Sequence, residues 1–338
     1  MKIIVCGYGS IGKRYVNLLL SKKIVPVVYD PYIKKIDDKK VLLFNDFKNV
    51  KKFISLDGKI KFGIIATLSD IHIINFKNLI EIGVKKILVE KPICDKLSDY
   101  EEILSLAKKN KTFVTSHYKW EIENLFEKII KIQKKYKMGE PFLYSCIAGS
   151  CCIATSGIHW IDLYSKFFQK SENLEITANY NFDKINPRGK RFNQVAGNLY
   201  LKPLKKKITA NFNFTNSSRL SPEITLIYKS HKIKLDINGN YEIYKTPKEF
   251  DRLKITRYVK EELIIKDKIV NKKNSIDLVF DNLINSNKPI VSLEYSFYSL
   301  KILLLSFVSN KLGKTVNLKN FKNYFNKVSF YKKHFRFT

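Results

Sequence analysis

Three glycines in Gly7-Tyr8-Gly9-Ser10-Ile11-Gly12 are the first residues whose spacing suggests chemistry. They follow the apolar run Ile3-Ile4-Val5-Cys6 and open a helical pattern at Ser10. In that setting a GxGxxG loop cradles the pyrophosphate of a dinucleotide. Gly7 permits the tight turn, Gly9 lets the backbone approach phosphate, and Gly12 lets helix and strand pack closely. Tyr8, Ser10 and Ile11 complete the loop, and the helix N-terminus offers N–H groups and the positive end of its dipole. Asp30 closes the next strand ~20 residues on, where a carboxylate binds adenosine ribose hydroxyls and repels a 2′-phosphate. NAD is therefore the expected cofactor, with Arg14, Lys34 and Lys35 leaving NADP open.

The elements that must position these residues are legible as periodicity. Short apolar runs at 3–6, 25–29, 41–44, 63–66, 87–89 and 112–115 alternate with helical patterns. Continuous apolar strands separated by helices imply a parallel sheet covered on both faces. Ser98-Asp99-Tyr100-Glu101 reads as a capping box opening a helix that runs to about Lys108. Beyond residue 117 the texture changes. A helix over 121–135, a strand over 142–147 and a helix holding His159, Trp160 and Asp162 precede a series of strands from 174. Ile208, Ala210, Phe212 and Phe214 alternate with more polar neighbours, and Asn238-Gly239 marks a hairpin. Helices return over 275–286 and 293–310. The expected class is α/β followed by α+β. A Rossmann dinucleotide-binding domain is expected over 1–117 and an α+β domain with a large, mainly antiparallel open sheet over 118–338.

Three further motifs occur in order: Ala66-Thr67-Leu68-Ser69-Asp70-Ile71-His72 after the fourth strand, Glu90-Lys91-Pro92 after the fifth, and Gly157-Ile158-His159-Trp160-Ile161-Asp162. Together they resemble the Gfo/Idh/MocA family, the relatives of glucose–fructose oxidoreductase and inositol dehydrogenase. The resemblance covers nearly the whole chain and implies that 118–338 is the substrate-binding and oligomerisation domain. It implies a hydride transfer between NAD(H) and a carbinol or keto carbon, with Lys91 and His159 as catalytic residues. Ala66, Thr67, His72, Glu90 and Lys91 would join the glycine loop and Asp30 around the cofactor. Lys119, Trp120, Thr155, His159, Lys190 and Arg191 would meet the substrate. The stretch Gly9-Ser10-Ile11-Gly12-Lys13-Arg14 and the run Lys190-Arg191-Phe192 resemble the surface-polysaccharide subgroup, which implies a sugar or nucleotide-sugar substrate. Two departures stand out. Leu68 replaces the family's usual proline, and Thr155 replaces an aspartate that commonly works with the histidine and lysine. The alternative reading is a catalytically inactive dinucleotide-binding regulator of the same fold.

Composition narrows the partners. The 338 residues are 45% hydrophobic and 13% aromatic, enough for a core and against disorder. Lys+Arg 62 against Asp+Glu 31 leaves a formal charge of +31. The lysines are spread along the chain, which fits solvated faces better than a nucleic-acid footprint. The basic, aromatic segment from Lys311 is expected to pack its rings on the domain with its lysines outward. The five cysteines, Cys6, Cys94, Cys146, Cys151 and Cys152, are odd in number and form no CxxC, against a disulfide scaffold or a zinc ribbon. No spanning segment or signal peptide is evident. The expectation is a cytoplasmic homodimer or homotetramer acting on a small molecule, with no metal, nucleic acid or membrane partner.

Overall fold

Ile3, Ile4, Val5 and Cys6 are wholly buried, as are Ile64, Ile65, Ile87, Leu88 and Val89. Consecutive buried residues mark strands covered on both faces, the property that parallel sheets impose. The computed structural model describes residues 2–57, 60–183, 192–252, 258–326 and 328–336. It divides into two units: Met1–Glu123 with Lys273–Phe297 and Lys327–Phe335, and Asn124–Lys272 with Tyr298–Asn326 and Arg336–Thr338.

The first unit runs β1 (Lys2–Cys6), α1 (Ser10–Ser21), β2 (Val25–Tyr29), β3 (Leu42–Phe44), α2 (Phe47–Asp57), β4 (Phe62–Ile65), α3 (His72–Glu81), β5 (Lys86–Val89), α4 (Leu97–Lys109), β6 (Phe113–Ser116) and α5 (Lys119–Ile122). The strands form a six-stranded parallel sheet in the order β3-β2-β1-β4-β5-β6. The winding reverses between β1 and β4, and ligands of such sheets bind in the crevice at the carboxyl ends there.

Helix α2 was not apparent as a separate element in the sequence. The capping box is not formed. Helix α4 starts at Leu97 with Lys96 at the cap and no capping side chain. Asp99 lies in its first turn and takes the Lys96 ammonium at 2.9 Å instead. The helix expected over 121–135 is two: Asn124, at φ 52°, breaks it before α6 (Leu125–Lys135).

The second unit continues with β7 (Leu143–Gly149), α7 (Gly157–Lys166), β8 (Leu174–Asp183), β9 (Gln194–Pro203), β10 (Thr209–Thr215), β11 (Glu223–Ile227), β12 (His231–Asp236), β13 (Asn240–Lys245) and β14 (Glu262–Lys268). Gly239 turns the β12–β13 hairpin at φ 83°. The chain re-enters the first unit through α8 (Ser275–Asn285) and the start of α9 (Leu293–Leu312). Then β15 (Val316–Asn317) and α10 (Phe321–Phe325) belong to the second unit, and α11 (Val328–Tyr331) to the first. The nine strands order as β14-β13-β12-β11-β7-β10-β9-β8-β15. Only the β7–β10 pair is parallel among the described pairings of this sheet.

Ala210, Phe212 and Phe214 point to the core face, as the alternation predicts. The other face shows Ile147, Tyr200 and Ile227 to solvent. Phe321 and Phe325 are buried with their rings stacked at 4.4 Å, so the basic C-terminal segment packs its aromatics inward. Among the described residues no helix is long and apolar enough to cross a membrane.

Candidate functional site

The glycine loop occupies the crevice between β1 and β4. Gly7 N–H donates to Tyr29 O at 2.8 Å, and Ala66 N–H to Cys6 O at 2.8 Å. Gly7 turns at φ 96°, and a Cβ there would lie 2.8 Å from Ala66 O and 2.9 Å from Thr67 Cγ2. A Cβ on Gly12 would lie 2.1 Å from Gly7 O, so helix α1 crosses the loop at a distance only glycine allows. Gly9 is different: nothing lies within 4 Å of its Cβ position. Its need for glycine does not come from protein packing, which fits a loop kept bare for a phosphate.

The start of α1 points the same way. Gly9 is its cap, no side chain caps it, and no acid sits in its first turn. Ser10 is exposed, and Tyr8 and Ile11 are half-buried. The first N–H groups of α1 are thus left for an anion. These residues fit a dinucleotide pyrophosphate.

Asp30 ends β2. Its carboxylate accepts from Tyr8 N–H at 2.8 Å and from Tyr32 N–H at 2.9 Å. It therefore ties the glycine loop to the β2 turn, and the carboxylate keeps acceptor capacity for a ribose hydroxyl. Lys35 is paired with Asp37 at 3.0 Å.

The loop after β4 is braced by His72. Its ring sits between two carbonyls, Nδ1 at 2.9 Å from Ile93 O and Nε2 at 3.0 Å from Thr67 O. Burial pulls the His72 pKa down, against the pull of both carbonyls. A neutral ring has one N–H, so it donates to one carbonyl at a time. His72 thereby links the β4 and β5 loops rather than facing a ligand. Asn75 Nδ2 donates to Thr67 Oγ1 at 3.1 Å, fixing the side chain that abuts Gly7.

Glu90 is the centre of a network absent from the sequence reading. It is buried, and its Oε1 accepts from the Tyr15 hydroxyl at 2.8 Å and meets His117 Nδ1 at 3.0 Å. His117 Nε2 in turn meets Ser275 Oγ of α8 at 2.9 Å. Burial pushes the Glu90 carboxyl up, but His117, the Lys91 charge and the Tyr15 hydroxyl outweigh it, and its pKa lies below the usual carboxylate range. Glu90 is thus held as a carboxylate directly before Lys91, whose backbone N–H reaches Glu90 Oε2 at 3.3 Å. Lys91 itself is half-buried. Lys119 Nζ lies 4.1 Å from the Trp120 ring centroid, a cation–π pair at the start of α5.

Tyr15 looks like one more core position of α1, and its partner stands 75 residues away. His117 directly follows β6, with no motif around it. Both were invisible because the network is assembled by topology.

In the second unit, Thr155 and His159 stand in and after the turn leading into α7, both half-buried. Asp162 is buried and structural: its Oδ1 accepts from Ser299 Oγ at 2.7 Å and from Lys170 Nζ at 3.4 Å. Lys190 and Arg191 lie outside the described residues. All five cysteines are free thiols, and burial pushes those of Cys6 and Cys94 far up, leaving them inert.

The family model of Gfo/Idh/MocA oxidoreductases, described as the oxidoreductase family with an NAD-binding Rossmann fold, matches residues 1–118. No curated protein sequence matches significantly. Among solved structures, an NAD-binding protein from Listeria innocua is 18% identical with a TM-score of 0.71, covering 94% of this chain and 96% of its own. An oxidoreductase from Agrobacterium radiobacter, solved with NAD+, L-tartaric acid and magnesium, is 15% identical with a TM-score of 0.68, covering 94% and 98%. The UDP-N-acetylglucosamine 3-dehydrogenase GnnA from Acidithiobacillus ferrooxidans is 13% identical with a TM-score of 0.65, covering 92% and 98%. The N-terminal region is therefore an NAD-binding Rossmann domain of the Gfo/Idh/MocA type, and the fold of the chain as a whole is the one these oxidoreductases share.

Proposed function

We propose that the protein is an NAD(H)-dependent oxidoreductase acting on a carbinol or keto carbon of a sugar or nucleotide sugar. The observation that carries the reading is the bare glycine loop. Gly9 faces open space at an uncapped helix start, beside a β5 end that presents Lys91 behind an ionised Glu90. Gly7, Tyr8, Gly9, Ser10, Ile11 and Gly12 would hold the pyrophosphate and Asp30 the adenosine ribose. Ala66 and Thr67 form the facing wall of the loop, and His72 braces it. NAD supplies the hydride acceptor or donor. The residues must supply the proton transfer that accompanies it, because oxidising a carbinol leaves an O–H proton to remove.

Lys91 is assigned that proton. Near a cationic ring and away from water, a lysine amine becomes a competent base. Glu90, fixed by Tyr15 and His117, holds the backbone from which Lys91 projects. The sequence resemblance is the basis on which Thr155, His159, Lys119 and Trp120 are assigned to the substrate. Thr155 offers a hydroxyl where an acid would bring charge, so the proton falls to Lys91 and His159. The sugar assignment rests on the sequence resemblance and is supported by the activity that GnnA carries in its name.

The test is twofold. NADH titrated into the protein, read by nicotinamide fluorescence, should saturate. A panel of sugars and nucleotide sugars with NAD+ or NADH should then give a change at the reduced-nicotinamide band for at least one member. Tight NADH binding with no turnover across the panel favours the regulator reading. No NADH binding overturns both.

A further inference from the structure

Asp95, Asp99 and His334 belong to the first unit and are not among the residues assigned above. Asp95 and Asp99 flank the start of α4, and His334 follows α11. One ligating atom from each lies within 4.8 Å of the others. His334 Nδ1 is 2.7 Å from Asp95 Oδ1, across 239 positions of sequence, so no local motif announces the cluster. Asp95 is wholly buried and Asp99 only 5% exposed.

Lys96 is the resident cation. Its Nζ stands 2.9 Å from Asp99 Oδ1 and 3.2 Å from His334 Nε2. An ammonium only donates, so His334 Nε2 faces it as the accepting nitrogen while Nδ1 faces Asp95. The second oxygen of Asp99, Oδ2, is buried with no hydrogen-bond partner among the described residues. A buried carboxylate oxygen without a donor is the group that a cation would satisfy.

We propose that Asp95, Asp99 and His334 form a site for a divalent first-row metal ion, with the Lys96 side chain yielding its place to the metal. Two carboxylates and one imidazole are a donor set for zinc, manganese, iron or cobalt, with water filling the remaining positions. Bonds of about 2.0–2.2 Å bring the donors of one metal roughly 3–4 Å apart, so the cluster needs only small adjustments. Lys96 swings to solvent as an ammonium. With Nδ1 on the metal, the ring carries its one proton on Nε2. The two carboxylates match the charge of a dication. Phe335 N–H already donates to Asp95 O at 3.2 Å, so the metal would pin the C-terminal segment to the start of α4.

The test uses the full-length protein, dialysed against EDTA and titrated with Co2+. The expected result is one equivalent bound, with the visible bands of nitrogen and oxygen ligation and no thiolate charge transfer. His334→Ala and Asp99→Asn should each weaken binding at least about tenfold, while Lys96→Met tightens it. Circular dichroism checks that each variant is folded, and the half-exposed His334 makes His334→Ala the safer of the two ligand variants. Failure to bind Co2+, binding that His334→Ala leaves unchanged, or a thiolate charge-transfer band would each overturn the proposal.

Discussion

Gly9 and Gly12 both belong to the glycine loop, yet the geometry assigns them opposite consequences when alanine replaces them. Gly9 sits at φ −71° and ψ −167°, an extended conformation any residue adopts, with nothing within 4 Å of its Cβ position. Gly9→Ala should leave the free protein as stable as before, or more stable by ~0.4–1 kcal/mol through the unfolded chain's lost freedom. Its methyl would occupy the space a pyrophosphate needs. Losing one or two charge-assisted hydrogen bonds at ~1.5–3 kcal/mol each weakens NADH binding by an order of magnitude at least, roughly 30- to 700-fold for a net loss of about 2–4 kcal/mol. Gly12→Ala puts a methyl 2.1 Å from the Gly7 carbonyl oxygen, which no rotamer change relieves. Overpacking of that kind costs about 1–3 kcal/mol or more, or ~2–12 °C in Tm for a unit of this size. Thermal unfolding without cofactor and NADH fluorescence titration separate the two. If Gly9→Ala binds NADH as the wild type does, the open space is not a phosphate site. If Gly9→Ala melts early while Gly12→Ala does not, the loop geometry is wrong.

The remaining predictions concern charge and chemistry. Lys91→Ala should lower turnover about 100-fold or more with little change in NADH affinity; near-normal turnover would remove Lys91 from the proton transfer. Asp30→Ser should narrow a preference for NAD(H) over NADP(H), and calorimetry showing the wild type preferring NADP(H) would contradict the assignment. His159→Asn should lower turnover strongly, and Thr155→Asp should shift the pH profile upward through added negative charge; an unchanged profile argues against a substrate-side role for Thr155. The fold should lose stability in acid. Burial holds the His72 pKa below its ordinary 6.5, so the unfolded chain takes a proton the folded one refuses as the pH falls past that value. Glu90, depressed below its ordinary 4.5, adds stability above that value that disappears as the pH drops through its folded pKa. Urea unfolding from about pH 8 to about pH 4 should show the decline, and a flat profile refutes it.

Much of the first unit could be read directly from residues. The buried strands announce themselves as apolar runs because both faces are covered, and the glycines declare the crevice because their chemistry is local. Asp30 was legible as an acid at a strand end, but its grip on the Tyr8 and Tyr32 amides was not, since a turn and a ribose ask for the same residue. Helix α2 was legible in principle, since Phe47, Val50, Phe53 and Ile54 recur at helical spacing and Phe47 and Val50 are buried. The capping box failed because Ser98 and Glu101 fit a pattern, while burial of Asp99 and the reach of Lys96 decided the actual start. The Tyr15–Glu90–His117–Ser275 network spans four elements, and no periodicity encodes such a meeting.

Ser275 has a consequence for how the chain is made. It belongs to α8, yet it completes the surroundings of His117 in a unit whose first segment ends at Glu123. During translation the stretch Asn124–Lys272 must leave the ribosome before that hydroxyl arrives, roughly 7–30 s at about 5–20 residues per second. Throughout that interval the nascent Rossmann sheet carries a His117–Glu90 pair still open on one side. The N-terminal segment expressed alone would remain in that unfinished condition, and supplying the C-terminal half as a separate chain should restore it.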